Sequence, residues 1–369
     1  VKIVVFGLTI SSSWGNGHAT LWRGLCKHLR RLGHTVVFYE RDVPYYAGAR
    51  DLNELPGGQL RLFPNWEEIR SLARNDIADA DVAIVTSYCP DAIAATDLIM
   101  SKGRAIPVFY DLDTPITLAR LMAGESVSYI GTRGLRDFAL VLSFTGGPRV
   151  VQEFRERLCA RDVRPLYGHV DSDIHRPVPQ EPHYRADLSY LGTYSEDRQR
   201  GLEALFVEPA RARQDLRFLI GGAQYPDDFP WSPNIYFVRH LPPSEHAPFF
   251  ASSRLTLNVT RKAMAEMGWC PSGRLFEAAA CGVPLLSDDW PGIEEFFTPG
   301  SEILIAHDAQ DTLGALAMSS ADLQSIARRA YERTMDQHTS DKRARELVAL
   351  LQQAVSSGSG TRRQQSEEA

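Results

Sequence analysis

The chain has 369 residues, 44% of them hydrophobic and 23% charged, with a formal net charge of -6 at pH 7. These values suit a two-domain globular protein in which each half buries its own core. The acidic balance excludes a general binder of nucleic-acid backbones, and no apolar run is long enough to span a bilayer.

The first residues, VKIVVFGLTI, lack the layout of a cleavable leader and read as a buried strand, so a cytoplasmic location is expected. KIVVFGL, HTVVFYE, QLRLF, DVAIVTS, AIPVFYD and FALVLSF read as strands, and residues 19–32, 66–78 and 91–101 as helices between them. Continuous apolar strands separated by helices predict a parallel sheet covered on both faces. Residues 170–186 are rich in proline and charge and read as a linker. The alternation restarts with DLSYLGT, LRFLIGG, NIYFVRH, LTLNVTR, VPLLSDD and EILIAHD. Helical patterns close the chain, the last over 342–354, before a polar tail that reads as disordered. The cysteines (26, 89, 159, 270 and 281) are scattered with no C-x-x-C pair, so neither a zinc site nor a disulfide framework is expected.

Where the first strand hands over to a helix, the chain reads SSSWGNGHATLWRGL (11–25). A dinucleotide fingerprint needs G-x-G-x-x-G, but after Gly15 and Gly17 the third position is Thr20. Glu40, ending the second strand, would suit a ribose diol, which keeps a dehydrogenase in view from this half alone. His18 at the start of the helix offers an imidazole that can take a proton from an attacking hydroxyl, or can only position a substrate. Asp111 and Asp113 in YDLDTP end a strand on the same side. Either could orient His18 or bind acceptor hydroxyls, and Asp113 could instead cap the helix that follows. Gly146 and Gly147 in SFTGGP form a turn that could admit a phosphate, and Tyr45, Tyr46 and Tyr88 could stack on sugar rings.

In the second half, YLGTYSEDRQ offers Gly192 for close approach of a phosphate, hydroxyls on Thr193 and Ser195, and Arg198 in the first helical turns. Its other reading is a helix begun at Ser195, with Glu196 and Asp197 favouring the positive end. In GRLFEAAACGVPLLSDD, Arg274 and Glu277 are three apart on one helix face. The cation suits a diphosphate and the carboxylate a ribose diol; a surface ion pair is the alternative. Asp288 and Asp289 follow as candidate acceptors for sugar hydroxyls.

NVTRKAMAEMGWCPSGRLFEAAACGVPLLSDDWPGIEEFF and YLGTYSEDRQ resemble the nucleotide-sugar half of GT-B glycosyltransferases of the bacterial CgeB-like group, related to glycosyltransferase family 4-type enzymes. SSSWGNGHATLWRGL, ERDVPYY, YDLDTPITLARL and LSFTGGP resemble the first domain of the same group. The resemblance implies an α/β chain with two Rossmann-like doubly wound parallel-sheet domains facing across a cleft. The first (1–169) would take the acceptor and the second (187–340) the donor, with a helix at 341–355 packing back on the first and a tail at 356–369. It implies a nucleotide-diphosphate-sugar as co-substrate, with no cofactor and no metal. The acceptor is left open among saccharides, lipid-linked glycans, peptides and natural products.

Carried onto this chain, the resemblance gives His18 and Asp113 as catalytic residues and Ser13, Trp14 and Asp111 as acceptor contacts. Donor contacts are Gly17, Gly192, Thr193, Tyr194, Arg198, His240, Leu241, Arg261, Arg274 and Glu277. One departure stands out: retaining relatives carry a second glutamate eight residues before the ribose glutamate, and here that position is Trp269. The stereochemical outcome is therefore open. A nucleotide-sugar epimerase of the same fold and a binding protein without turnover are the alternative functions.

Overall fold

The computed structural model describes residues 1–14, 17–102 and 104–367, without the side chains of 102 and 357–367. Gly15, in the glycine pattern above, lies outside the described residues. The chain divides into two units, Val1–Tyr167 with Ser340–Ala369, and Gly168–Thr339.

The first unit is built on seven parallel strands, β1 (Lys2–Gly7), β2 (Thr35–Arg41), β3 (Gly58–Phe63), β4 (Val82–Thr86), β5 (Ile106–Asp111), β6 (Leu140–Ser143) and β7 (Val163–Pro165). Their order across the sheet is β3-β2-β1-β4-β5-β6-β7. Lys2 pairs with Thr35 on one side of β1, and Ile3 with Val82 on the other. The inner strands β1, β4 and β6 are buried almost end to end, as their unbroken apolar runs require. β7 was not anticipated: it is three residues long, carries Arg164 and lies at the sheet edge.

The His18–Arg31 helix buries Ala19, Trp22, Leu25, Cys26 and Leu29, a helical spacing. It packs against the Ser340–Glu367 helix of the same unit, which buries Ala344, Leu347, Leu351 and Ala354. The backbone of that last helix runs on past Ala354, through a stretch without a proline to stop it.

The second unit has six parallel strands, β8 (Ala186–Leu191), β9 (Phe218–Gly222), β10 (Ile235–Arg239), β11 (Ser253–Asn258), β12 (Leu285–Ser287) and β13 (Leu304–Ile305), in the order β10-β9-β8-β11-β12-β13. Leu188, Phe206, Phe218, Ile220, Leu255 and Leu286 lie in its core. The stretch read as a linker belongs to this unit: Val170 bridges to Thr339, and His175 is 1% exposed. Both sheets share one winding, in which the order reverses beside the first strand of each, between β1 and β4 and between β8 and β11. Ligands of open α/β sheets bind beyond the carboxyl ends of the strands at such a reversal. Among the described residues, no helix is long and apolar enough to cross a membrane.

Candidate functional site

In the first unit the reversal between β1 and β4 is met by residues 9–14, by the start of the His18 helix and by Ser87. Glu40, 0% exposed, accepts hydrogen bonds from Thr9 Oγ1 (2.9 Å), Ile10 N (2.7 Å), Ser11 N (2.9 Å) and Ser11 Oγ (2.6 Å). Its carboxylate is thus committed to the loop and is not offered to a ribose, which removes the observation that kept a dehydrogenase in view. The next two serines are committed as well. Ser12 Oγ donates to Ala49 O (2.9 Å), and Ser13 gives both its N–H and its hydroxyl to Asp51, which also pairs with Arg23. Ser13, expected at the acceptor, therefore has a bonding role inside the loop. Trp14 is half-buried, with its N–H 3.3 Å from Ser12 Oγ, and Gly17 precedes the helix with open space where a side chain would stand.

His18, the first helical residue, is 7% exposed, and its Nε2 lies 2.8 Å from Asp113 Oδ2. Asp113 directly precedes the Thr114–Met122 helix but makes no side-chain capping bond to it. Instead Oδ2 receives Ser87 Oγ (2.9 Å) as well as His18, and Ser87 Oγ in turn accepts from Leu112 N (3.0 Å). The capping alternative for Asp113 is set aside. Asp111, expected at the acceptor, is corrected: it is 0% exposed, and its Oδ1 accepts the Asp113 N–H (2.9 Å). Burial, then the neighbouring Asp113 charge, pushes its carboxyl up to about 7. The glycine turn at 146–147 serves packing, since a Cβ on Gly146 would meet Tyr167 Oη at 1.9 Å. Tyr88 has left-handed backbone (φ 57°) and its ring lies against Tyr129, while Tyr45 and Tyr46 meet edge to face.

In the second unit, Gly192 and Thr193 follow β8, and a short helical turn carries Arg198. Arg198 Nη1 donates to Tyr190 Oη (3.0 Å) and Thr193 O (3.3 Å). Its buried Nε has no partner among the described residues. A guanidinium held by a phenol and a carbonyl retains its charge for an anion. A Cβ on Gly192 would meet Tyr190 Oη at 2.6 Å and Arg198 Nη1 at 3.1 Å, so this glycine makes room for the arginine. Tyr194 packs on the core, its ring 5.6 Å from that of Tyr225. Arg261, after β11, pairs with Asp197 (3.3 Å), which also receives the Ser195 hydroxyl. Burial raises the Asp197 carboxyl, but Ser195 and Arg261 outweigh it and hold the group below its ordinary value.

At the end of β10, His240 has φ 50° and its N–H reaches Gly222 O (2.7 Å), while Leu241 is buried. Asp288, a candidate for sugar hydroxyls, is spent on Thr260 N (3.0 Å) and Thr260 Oγ1 (2.8 Å), whereas Asp289 is exposed. Trp269 stands in left-handed backbone (φ 46°), its indole N–H donating to Glu295 Oε1 (2.5 Å).

The Gly273–Ala280 helix starts at Ser272, whose hydroxyl accepts from Arg274 N (3.3 Å). Glu277 is 6% exposed, and its Oε2 is hydrogen-bonded by Arg274 Nη1. Two histidines that the sequence did not point to complete the cluster. His246 Nδ1 and His175 Nε2 lie 3.7 and 3.8 Å from Glu277 Oε2, and 3.4 Å from each other. A point about 2.1 Å from all three atoms exists, the bond length of a zinc site with two imidazoles and a carboxylate. The Arg274 guanidinium already stands among them, with Nη1 3.1 Å from His246 Nδ1, so the three groups converge on a cation that the chain itself supplies. Burial, then Arg274, lowers His246 to about 4, and burial lowers His175. Both imidazoles are therefore neutral at pH 7. Burial opposes the charge on Glu277, but Arg274 and the histidines outweigh it and hold the carboxyl well below its ordinary range. Among the described residues, no hydrogen bond is made to Glu277 Oε1, which leaves that oxygen for an external hydroxyl.

A family model described as glycosyl transferase-like matches residues 198–349. Comparison with curated proteins gives no match. Among solved structures, the chain is similar to sucrose-phosphate synthase from Thermosynechococcus elongatus, at 13% identity and a TM-score of 0.68 over 96% of this chain and 99% of that one. It is also similar to HepE from Anabaena, solved with UDP-glucose, at 12% identity and a TM-score of 0.67 over 95% and 99%. A glycosyltransferase from Rickettsia africae aligns at 10% identity and a TM-score of 0.64 over 96% and 98%. The fold is GT-B.

Proposed function

We propose that the chain transfers a sugar from a nucleoside-diphosphate-sugar to a hydroxyl of an acceptor. The observation that carries this reading is the buried Glu277, held through Oε2 by Arg274 with Oε1 left for a ribose hydroxyl, inside the segment that matches the glycosyl transferase-like model. Arg198, Arg261 and Arg274 supply positive charge for the leaving diphosphate, the role a divalent cation plays in other transferases. In the first unit, His18 takes the proton of the attacking hydroxyl, and Asp113 holds the imidazole and stabilises its charged form. A base that takes the proton of the attacking hydroxyl fits direct displacement and inversion at the anomeric carbon. The fuller kinship proposed is with the CgeB-like group, supported by YDLDTP in the first unit and GRLFEAAACGVPLLSDD in the second.

The test is a thermal-shift screen of UDP-, GDP- and dTDP-sugars, because a bound donor raises the melting temperature by mass action. Release of nucleoside diphosphate is then followed in the presence of acceptor candidates. Acceptor-dependent release with a glycosylated product supports the transferase. A free, isomerised nucleotide-sugar supports an epimerase instead, and stabilisation without release under any acceptor supports a binding protein.

A further inference from the structure

The carboxyl of Asp111 takes no direct part in the chemistry proposed above, yet it lies beside the His18–Asp113 pair with 0% exposure. One oxygen, Oδ1, accepts the Asp113 N–H, and the other, Oδ2, is buried with no hydrogen-bond partner among the described residues. Among the described residues no cation bonds to it. Burial disfavours the charged carboxylate in such a place, and the Asp113 carboxylate two residues on disfavours that charge further.

The Asp113 N–H, Thr117 and Ser87 favour the charged carboxyl, but burial and then the Asp113 charge outweigh them. Asp111 is flanked along β5 and the following helix by Tyr110, Asp113 and Thr117. Ser87 and Tyr88 face it from beyond β4, and Tyr129 from the loop before β6. β6 brings the Ser143 hydroxyl alongside through the pairing of Asp111 with Ser143, and that hydroxyl is bonded to Thr114. All of these groups except Asp113 are neutral at pH 7, and the imidazole of His18 reaches Asp113 rather than Asp111.

We propose that Asp111 is a positioning residue which, as a neutral carboxylic acid, fixes the backbone of Asp113 so that its carboxylate stays on His18. This inference rests on His18 being the base. The reason for neutrality is physical: with the proton on Oδ2, Oδ1 is a carbonyl that accepts the amide, and Asp111 adds no second negative charge beside that of Asp113. Once Asp111 ionises, two carboxylates two residues apart share one buried corner, and repulsion draws Asp113 from its place. The upward displacement of the Asp111 carboxyl to about 7, from burial and then Asp113, puts this event in the neutral range.

The experiment has one arm without a variant and one with. In the parent protein the Asp113 amide, which Asp111 accepts, is followed by NMR from pH 5 to 9. A titration step between pH 6 and 8 is expected, and the alkaline fall in kcat should share its midpoint. Asp111→Asn, which keeps the amide acceptor and cannot ionise, should abolish the step, hold kcat within about threefold of the parent at pH 6 and extend activity to higher pH. Asp111→Ala should lose activity at every pH. An Asp113 amide that does not titrate in the parent overturns the proposal, as does an alkaline limb unchanged in Asp111→Asn. Should His18→Ala retain full turnover, the base assignment fails, and the amide titration still reports on Asp111 by itself.

Discussion

Replacing Arg274 by alanine leaves Glu277 buried beside two imidazoles without its guanidinium. Removing one member of a buried ion pair costs about 3–5 kcal/mol. The Arg274 side chain is 39% exposed, so solvent screens part of the interaction and about 2–3 kcal/mol is the expected loss. In a unit of this size that lowers the melting temperature by about 5–10 °C. The loss should depend on pH. In the parent, burial and then Arg274 depress His246 to about 4, so the unfolded chain takes up that proton first and the parent loses stability as pH falls below about 6.5. Without Arg274 one cause of the depression is gone and Glu277 still favours the proton, so His246 takes up its proton at a higher pH than in the parent. The gap between parent and variant should therefore be widest at pH 8 and narrower at pH 5.5. Melting curves of both proteins without ligand, across that range, are the assay. An unchanged gap at both pH values, or no loss at pH 8, would refute the coupling of Arg274, Glu277 and His246.

Glu277→Ala should weaken donor binding by about 1.5–3 kcal/mol, the range for a hydrogen bond to a charged group, and calorimetry with the nucleotide-sugar checks it. Asp197→Asn removes the carboxylate that neutralises Arg261; nucleoside diphosphate should bind several-fold tighter with a steeper salt dependence, and equal affinity would count against Arg261 as a phosphate contact. His18→Ala should lower turnover by about two to four orders of magnitude with donor affinity kept, and Asp113→Asn should reproduce part of that loss. The glycosylated product should show the inverted anomeric configuration; retention with turnover preserved in His18→Ala would leave the histidine a positioning role only.

Among the described residues, twelve of the thirteen strands were legible. The inner ones such as β1, β4 and β6 showed because a parallel strand buried on both faces must be an unbroken apolar run. The more exposed β3 and β10 showed only through their alternation with helical stretches. β7 carries too little pattern to announce itself. Alternation along β5 put Asp111 and Asp113 on one side of the strand, but side is not depth, and only the packed structure shows Asp111 sealed and Asp113 reaching His18. Arg274 and Glu277 were readable because their contact is local to one helix turn. His175 and His246 were not, since they are 71 residues apart and meet only through the fold. Glu40 and the serines of the first loop were ambiguous in the sequence for a related reason. Hydroxyls and a carboxylate look the same in a sequence whether they bind a ligand or each other.

The mutual bonding of Glu40 with Thr9, Ile10 and Ser11 also has an entropic consequence. Fixing a backbone residue in one conformation costs about 1–2 kcal/mol. Here that loss is met during folding, before any substrate arrives, because the carboxylate takes four donors from three neighbouring residues and Arg23 ties the helix back through Ile10 O (2.8 Å). An acceptor that meets this part of the loop finds it already ordered. Its association should therefore show little conformational penalty from Thr9–Ser11. Glu40→Gln would set an amide group against those donors, returning the ordering loss to the binding step as a less favourable entropy of acceptor association.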